Sequence, residues 1–422
     1  MFDRLQLKSD FSKNVLTLMS GTTIAQALPI VISPILTRLY SPEHFGLFAL
    51  YMSILSTLMV MVNGRYELSI VLPKKKSEAI NLVVLSFFIV ALTTFLAFIF
   101  IYFFHDKIGS FLGDSSIESW LCFLPLSMIF LGVSQTLNYW NNREKNYPFM
   151  AKVKISQSTT TSSINVILGS LNFMGIGLVM GQLLGQTISF ILFSRNFYQN
   201  AKDSFVHINR LKIIALAKRY KNFPLLNMPH AFLNTFSTSV VILIISRFFT
   251  PEDVGFYSLA NMVLLVPMGV VAGAYTQVFF QKMSHLKGTQ EGKEFFKETF
   301  FTLSLYALPF FILAFFLIED IFTFVFGEKW IVAGVYSSLL IPMLYFRFIG
   351  SIISSITLIY HQQKKGLILE VINLFIRVFG LSIGVFYHNL ILGIILFSLG
   401  SALVSIYRLF WYYSIVIKGE HD

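Results

Sequence analysis

Twelve apolar segments, each about as long as a lipid bilayer is thick, constrain the fold of this chain more than any other feature. A segment inside lipid must satisfy its own backbone hydrogen bonds, and a run of about 20 apolar residues does so as a helix. Only 13% of the residues are charged, against about 25% in a soluble domain. We therefore predict an all-α polytopic membrane protein with 12 transmembrane helices. The predicted spans are 14–36, 46–71, 80–104, 119–140, 155–172, 174–194, 224–245, 255–280, 298–318, 334–360, 367–388 and 390–416.

Lysine and arginine are distributed unequally between the two sides of this topology. Of the 32 basic residues, 24 lie in the two termini and the loops that follow even-numbered spans. Four lie in the opposite loops and four lie within spans. Cytoplasmic loops carry the excess of basic residues in membrane proteins. Both termini are therefore predicted to be cytoplasmic, and orientation in the membrane, rather than nucleic-acid binding, explains the net charge of +11.

An internal repeat divides the chain into halves. "LTRLYSPEHFGLFALY" (36–51) aligns without gaps on "ISRFFTPEDVGFYSLA" (245–260), with five of sixteen positions identical. We predict a duplicated six-helix unit, whose two copies insert the same way round as parallel repeats. The predicted lobes are 1–194 and 224–422, joined by a basic, partly helical cytoplasmic linker at 195–223. Two such lobes around a central cavity form the plan of an alternating-access transporter.

Arg347 and Arg377 stand near the middle of apolar spans, where a guanidinium group cannot lose its charge. The clear acidic residues predicted within spans are Glu67 and Glu370, so the four basic residues there outnumber them. An excess of positive charge facing a hydrated cavity is an anion site. The alternative is that these arginines pair with buried carboxylates and hold helices together.

Two further arginines lie within predicted spans. Arg65 is near the cytoplasmic border, and it either contributes to the anion site or reaches the lipid headgroups. Glu67 is two residues further along, on a nearly opposite helix face, and is not expected to pair with Arg65 along one helix stripe. Arg408 precedes "FWYY" and is expected to anchor that helix end in the aromatic belt.

The repeated motif contains Arg38 and Arg247 at predicted outer helix ends. The next residues, Ser41 or Thr250 followed by Pro-Glu, predict a helix start, with Ser or Thr as N-cap and proline in the first turn. We interpret the motif as structural, with the two arginines placed to line the outer mouth of the cavity.

The fifth span opens with "ISQSTTTSSIN" (155–165), which is rich in serine and threonine. These hydroxyl groups either serve helix packing or form a cavity wall that offers hydrogen bonds to a sugar. Ser158, Thr159 and Ser162 are the candidate sugar contacts. Elsewhere the chain contains no catalytic motif of soluble enzymes, and no metal site or cofactor is predicted.

Several stretches resemble the Wzx-type polysaccharide flippases of the multidrug/oligosaccharidyl-lipid/polysaccharide exporter superfamily. They are "ILTRLYSPEHFGLFALY", "GRYELSIVLPKKKSEAINL", "RYKNFPLLNMPHAFLNTFS" and "GFYSLANMVLLVPMGVVAGAYTQVFFQKMS". The resemblance covers most of residues 10–285, and the last four spans match mainly in pattern. It implies a MATE-like arrangement of two six-helix lobes around a cationic cavity.

The resemblance also implies a bacterial inner-membrane flippase for undecaprenyl-pyrophosphate-linked oligosaccharide units, rather than an enzyme. By this resemblance, Arg65, Arg347 and Arg377 are expected to line the basic cavity and to bind the pyrophosphate. Glu67 and Glu370 are the candidate groups for coupling to a proton or sodium gradient, beside a direct effect of the membrane potential. The expected partners are the bilayer, a polysaccharide polymerase and a chain-length regulator.

Three alternatives remain at this point. A cation-coupled multidrug exporter of the same superfamily should favour acidic residues in its cavity, whereas the charges within the spans here are mainly basic. A membrane glycan polymerase, which is an enzyme, needs a substantial outer loop, and the longest outer loops here are about 105–118 and 319–333. A teichoic-acid or capsule exporter cannot be distinguished by sequence from an O-antigen flippase.

Overall fold

The described residues form α-helices joined by short turns. The computed structural model describes residues 2–113 and 115–418, with side chains from residue 19 onward except at 115. The N-terminal basic side chains counted as cytoplasmic above therefore lie outside the described part. The helices are α1 (Phe2–Leu39), α2 (Pro42–Val62), α3 (Lys76–Leu112), α4 (Glu118–Leu121), α5 (Leu124–Arg143), α6 (Tyr147–Ser170), α7 (Ile176–Ala201), α8 (Arg210–Arg219), α9 (Met228–Phe248), α10 (Pro251–His285), α11 (Gln290–Phe326), α12 (Ile331–Ile353), α13 (Ile356–Ile359), α14 (Gln363–Phe386) and α15 (Leu390–Tyr413).

Each predicted span contains one long helix, in the predicted order along the chain. Within the described residues, eleven helical segments are long and apolar enough to cross a membrane. The helix α6 is not among these eleven, because Lys152, Lys154 and a run of serine and threonine lower its hydropathy. The chain is therefore a multi-pass all-α membrane protein, and a twelfth crossing stays a prediction.

The repeated motif forms the same local structure in both halves. Ser41 precedes α2, and its hydroxyl accepts a hydrogen bond from the backbone N–H of His44. Thr250 precedes α10 in the same way, with Asp253 closing a capping box. Each helix has a proline in its first turn. Backbone N–H groups there have no acceptor within the helix, so proline, which lacks this group, loses no hydrogen bond. The predicted helix starts are confirmed.

The predicted second span, 46–71, is too long. The helix α2 ends immediately before Asn63-Gly64, and Gly64 takes the left-handed conformation (φ 56°) that favours glycine. Arg65 is also left-handed (φ 61°), and a 3-10 segment follows it. An Asn-Gly pair is a strong turn signal, which the surrounding apolar residues obscured. Arg65 and Glu67 are therefore outside the candidate spans, not inside them.

The equivalent position in the second half of the repeat remains helical. There α10 continues through Gly273 and ends only at His285. Ala272 stands where the first half has Asn63, and alanine favours the helix that asparagine interrupts. The two halves of the repeat therefore differ at the turn that follows α2.

Packing divides the chain into two units, Met1–Ser239 and Val240–Asp422. The basic stretch 195–223 belongs to the first unit, where it completes α7 and forms α8, which packs against α3. Its predicted partly helical character is confirmed. The lobe limits 1–194 and 224–422 come from the sequence repeat and stay a prediction.

Each unit has an apolar core of its own. In the first unit, Trp140 and Phe193 are among the buried residues of a cluster on α3, α5 and α7. In the second unit, Phe279, Phe296 and Trp411 belong to a cluster on α10, α11 and α15. These cores support the helices that carry the charged residues described below.

Two helical hairpins, predicted from the short junctions at 172–174 and 388–390, are confirmed as α6–α7 and α14–α15. In the first hairpin the helices approach closely, since a Cβ added at Gly181 would overlap the side chain of Asn165. Small residues permit such close approach between membrane helices. This approach positions the polar face of α6.

Candidate functional site

Arg347 and Arg377 lie within candidate spans of the second unit, as predicted. Arg347 is on α12 and is partly buried, and Arg377 is on α14 with 5% of its surface exposed. The two guanidinium groups are close enough for their charges to act on each other. Among the described residues, no carboxylate forms an ion pair with Arg347. Structural pairing therefore does not account for Arg347.

Glu370, a candidate ion-coupling residue, forms an ion pair across the second hairpin. Its Oε2 atom on α14 lies 2.9 Å from Nη2 of Arg408 on α15. The two side chains are 24% and 26% exposed, so the pair is partly screened from solvent. Arg408 was assigned from the sequence to the aromatic belt, and its pairing with Glu370 was not predicted. Spacing along the chain does not show contacts between helices.

Tyr257 completes a group that we name the cationic cluster: Tyr257, Arg347, Glu370, Arg377 and Arg408. Tyr257 lies on α10, is 7% exposed, and is subject to the charges of both Arg347 and Arg377. Three guanidinium groups and one carboxylate leave the cluster with a formal charge of +2. Like charges repel strongly in a medium of low dielectric constant. An anion with two negative charges would neutralise this arrangement.

Arg65 and Glu67 lie together in the first unit, at the turn after α2. Arg65 Nη1 is 3.8 Å from Glu67 Oε1, and Arg65 Nε donates a hydrogen bond of 3.0 Å to Asn227 Oδ1. The prediction that Glu67 does not pair with Arg65 is wrong. It assumed a continuous helix, whereas the left-handed backbone at Arg65 brings the two side chains to one side.

Glu67 is a buried carboxyl group outside the candidate spans, with 1% of its side chain exposed. Gln135 Nε2 donates to its Oε1 atom at 3.3 Å, and its Oε2 atom has no hydrogen-bond partner among the described residues. Burial raises the pKa of Glu67 to about 7, although Arg65 beside it favours the ionised form. A carboxyl group with this pKa changes its charge near neutral pH.

A pocket of about 280 Å³, lined mainly by polar residue types and named here the α6 pocket, lies between α1, α6 and α7 in the first unit. Among its described lining residues, Lys154 carries the positive charge, and its Nζ donates a hydrogen bond of 3.1 Å to the Thr22 hydroxyl. Lys154 was assigned to a loop from the sequence, which is wrong, because α6 begins at Tyr147. The other polar lining residues are Gln26, Gln157, Ser158, Thr161 and Gln182.

The three candidate sugar contacts occupy different positions on α6. Ser158 lines the α6 pocket and donates a hydrogen bond of 2.6 Å to the backbone carbonyl of Ala25 on α1. Ser162 is buried, with 3% exposed, and Thr159 is exposed. Ser158 therefore already serves the packing of α6 on α1, and sugar contacts from any of the three stay a prediction.

The two arginines of the repeated motif are exposed at helix ends. Arg38 Nη1 donates to the carbonyl of Pro34 in its own helix at 2.7 Å. The guanidinium group of Arg247 lies 6.0 Å from the centre of the Phe248 ring. Both contacts are local, and the outer-mouth role of these arginines stays a prediction.

One group of metal-ligating side chains converges elsewhere in the first unit. The ligand atoms of His105, Asp106 and Glu118 lie within 4.8 Å of one another. His105 Nδ1 is 2.8 Å from Asp106 Oδ1, and Asp106 is 79% exposed. Exposed acidic groups of this kind are common without a bound ion, so the arrangement does not by itself form a metal site.

Sequence reasoning missed Tyr257 and Lys154 as site residues. Tyr257 lies in the repeated motif at the position that Phe48 occupies in the first half. The additional hydroxyl group in the second copy was a signal available from the sequence. Lys154 was one residue outside the predicted span 155–172. The earlier proline signal, Pro148 after Tyr147, marks the true helix start.

Comparison of the sequence with known families gives one extended match. A family described as polysaccharide biosynthesis protein matches residues 35–334, which is more than half of the chain. The match covers both repeated motifs and Tyr257, and it ends before Arg347. None of the curated proteins matches the sequence.

Several solved structures share the fold at low identity. The lipid II flippase MurJ, in an inward closed conformation, has a TM-score of 0.76 and 16% identity, covering 94% of this chain and 87% of that chain. An inward-facing multidrug resistance MATE family transporter of the MOP superfamily has a TM-score of 0.67 and 16% identity, covering 94% and 96%. A MOP superfamily transporter from Pyrococcus furiosus, described as having reverse polarity of its binding pocket, has a TM-score of 0.62 and 15% identity, covering 96% of each chain. The predicted MATE-like fold is confirmed, and the solved structures named here that share it are two transporters and a flippase.

Proposed function

The chain belongs to the polysaccharide biosynthesis protein family, and on that premise we propose that it is a flippase for undecaprenyl-pyrophosphate-linked oligosaccharides, such as O-antigen or related repeat units. It moves the lipid-linked unit from the cytoplasmic to the periplasmic leaflet of the bacterial inner membrane by alternating access, with both termini in the cytoplasm. The observation that carries the proposal is the cationic cluster within membrane-spanning helices.

Charge balance supports a diphosphate as the ligand of the cationic cluster. A diphosphate diester carries two negative charges near neutral pH, and the cluster has a formal charge of +2. The planar guanidinium groups of Arg347 and Arg377 can each donate two parallel hydrogen bonds to phosphate oxygens. An arginine at the centre of a bilayer costs about 2.5 to 3.5 kcal/mol. A bound diphosphate offsets part of this cost.

The α6 pocket supports a sugar-bearing substrate. Carboxamide groups donate and accept hydrogen bonds, as sugar hydroxyl groups do, so Gln26, Gln157 and Gln182 suit a carbohydrate better than an apolar drug. Its volume of about 280 Å³ is near the lower end of small-molecule sites, at about 300 Å³. The polyprenyl tail needs no polar site, because it remains soluble in the bilayer.

The membrane potential favours export of the diphosphate. With the inside negative, each negative charge carried outward gains about 2.3 kcal/mol per 100 mV. A proton or sodium gradient would then act mainly on the return of the empty carrier. Glu67 is the stronger candidate for this coupling, since Glu370 is engaged by Arg408 at 2.9 Å. In the cell we expect the product to pass to a polysaccharide polymerase and its chain-length regulator.

The test uses purified protein in proteoliposomes that contain a polyprenyl-diphosphate-linked sugar. Arg347→Ala and Arg377→Ala should each reduce the rate of sugar exposure on the opposite leaflet by about 100-fold, the effect of losing hydrogen bonds to a charged group worth about 3 kcal/mol. Arg347→Lys should retain part of the activity, because it keeps the charge and loses the planar donor pair. Arg210→Ala removes an exposed arginine of α8 and serves as the control.

Folding is checked for every variant by size-exclusion chromatography before reconstitution. If both alanine variants fold and flip the sugar at the wild-type rate, the cationic cluster does not bind the diphosphate and the proposal is wrong. If Arg210→Ala loses as much activity as the cluster variants, the effect is one of general charge and not of the cluster.

A further inference from the structure

A second cavity, of about 790 Å³, lies in the second unit between α14 and α15. We name it the hairpin groove. Its walls are apolar and include Ile368 and Leu369 of α14 and Leu403 and Val404 of α15. Ile368 is 50% exposed and Leu403 is 67% exposed, although both helices are candidate membrane spans. The groove is therefore open at the surface of the second unit, and its apolar walls suit the acyl chain of a lipid.

One end of the hairpin groove is basic. Lys364 and Lys365 line it in the first turn of α14, next to His361. Lys365 Nζ lies 5.3 Å from the centre of the Trp411 ring, and Lys364 is exposed without an ion pair among the described residues. No acidic residue belongs to the lining that the structure describes. The end of the groove is therefore cationic and uncompensated.

The nearest acidic side chain on α14 does not neutralise this end. Glu370 directs its carboxylate to Arg408 at 2.9 Å, so its negative charge is already engaged within the hairpin. Tyr407 lines the groove, 51% exposed, and Trp411 stands beneath Lys365. Aromatic and basic residues occur together where membrane helices leave the hydrocarbon and meet the lipid headgroups.

We propose that the hairpin groove binds an anionic glycerophospholipid, with its phosphate at Lys364 and Lys365 and an acyl chain along the apolar walls. Basic pockets between membrane helices recognise anionic headgroups in this way. The volume of about 790 Å³ is within the range of about 300 to 1,000 Å³ that holds small ligands. The charge count places this end of the hairpin on the cytoplasmic side, so the lipid belongs to the inner leaflet.

A phospholipid fits the groove better than the transported lipid does. The lysines stand at one end of the hairpin, whereas the other end has Tyr387 and His388 and no lysine or arginine among residues 386–390. A substrate that crosses the membrane needs charge along its path, and the cationic cluster supplies that charge elsewhere on α12 and α14. A resident lipid needs charge in one leaflet only. The preference over the transported lipid rests on the proposed function, whereas the shape and charge of the groove do not.

The test measures lipid retention by the purified full-length protein in detergent micelles. Phosphatidylglycerol and phosphatidylcholine are titrated separately, and retained lipid is counted by native mass spectrometry. The double variant Lys364→Gln/Lys365→Gln should bind phosphatidylglycerol about 25-fold more weakly, at about fivefold for each lysine, with little change for phosphatidylcholine. Leu403→Trp, which fills the apolar wall and keeps both lysines, should also reduce retention of phosphatidylglycerol.

The control is Lys282→Gln/Lys297→Gln, which removes the same charge from α10 and α11 outside the groove lining. Equal losses in the control and in the groove variant would overturn the proposal, because the lysines would then act only as general surface charge. Wild-type affinity in the groove variant would overturn it as well. A further test compares polyprenyl phosphate with unlabelled phosphatidylglycerol as competitors for the bound lipid. If polyprenyl phosphate displaces it at the lower concentration, the occupant is the transported lipid and the proposal is also wrong. Thermal midpoints of all variants confirm that the proteins are folded.

Discussion

Replacing Glu67 by glutamine should remove most of the pH dependence of stability between about pH 5 and pH 7. Burial raises the pKa of Glu67 from its usual 4.5 to about 7 in the folded protein. In that interval the folded protein holds a proton that the unfolded chain has lost. The free energy of unfolding therefore falls as the pH rises through this interval, and it becomes constant above about pH 7.

The size of the effect follows from the difference in proton affinity. A tenfold change in affinity corresponds to about 1.4 kcal/mol, so the raised pKa corresponds to about 3 kcal/mol of stability lost between about pH 4.5 and pH 7. Glutamine has the same shape and no charge to bury. At pH 8 the variant should be more stable than the wild type by up to about 3 kcal/mol, a figure that already includes the favourable 3.8 Å contact with Arg65.

The assay is thermal unfolding of both proteins in detergent from pH 4.5 to pH 8.5, followed by tryptophan fluorescence. Glu144→Gln is the matched control, since Glu144 is 39% exposed and pairs with Lys76 at 3.8 Å. The midpoint of the wild type should fall on going from pH 5 to pH 7, and that of Glu67→Gln should not. A Glu67→Gln protein that keeps the wild-type pH profile would refute the argument that the buried carboxyl group controls it.

Three further changes test other parts of the structure. Tyr257→Phe removes the hydroxyl that is subject to the charges of Arg347 and Arg377. It should slow sugar flipping in proteoliposomes about tenfold without loss of folded protein, the effect of losing one hydrogen bond to the diphosphate. Glu370→Gln should lower the thermal stability by about 1 to 2 kcal/mol, because it leaves Arg408 without its carboxylate. The double variant Glu370→Gln/Arg408→Gln should recover most of that loss. Wild-type stability of Glu370→Gln would show that the pair contributes nothing. Gly181→Leu should abolish folded protein in size-exclusion chromatography, because its side chain would overlap Asn165, whereas Gly269→Ala, with open space around it, should fold normally.

Local signals predicted much of the fold correctly. The long apolar runs located each long helix, and Ser41 and Thr250 marked two helix starts, since capping depends on residues within one turn. The location of Arg347 and Arg377 within long apolar helices also followed from the sequence, because both lie inside long apolar runs.

Features that depend on contacts between helices could not be predicted. Glu370 and Arg408 are on different helices, so their spacing along the chain contains no sign of the pair. Glu67 was assigned to a helix because apolar neighbours outweighed the Asn63-Gly64 turn signal. The partners of Glu67 are Arg65, brought close by the turn, and Gln135 on α5. Neither contact can be found by assigning Glu67 to one face of a helix.

The low hydropathy of α6 has a consequence for how the chain enters the membrane during synthesis. A segment with Lys154 and several hydroxyl groups gains little by leaving the translocon alone, since a lysine opposes insertion by up to about 3 kcal/mol, the value at a helix centre. Its neighbour α7 is strongly apolar and follows after a turn of only a few residues. We therefore predict that α6, if it is the twelfth crossing, inserts only together with α7, after α7 has been synthesised.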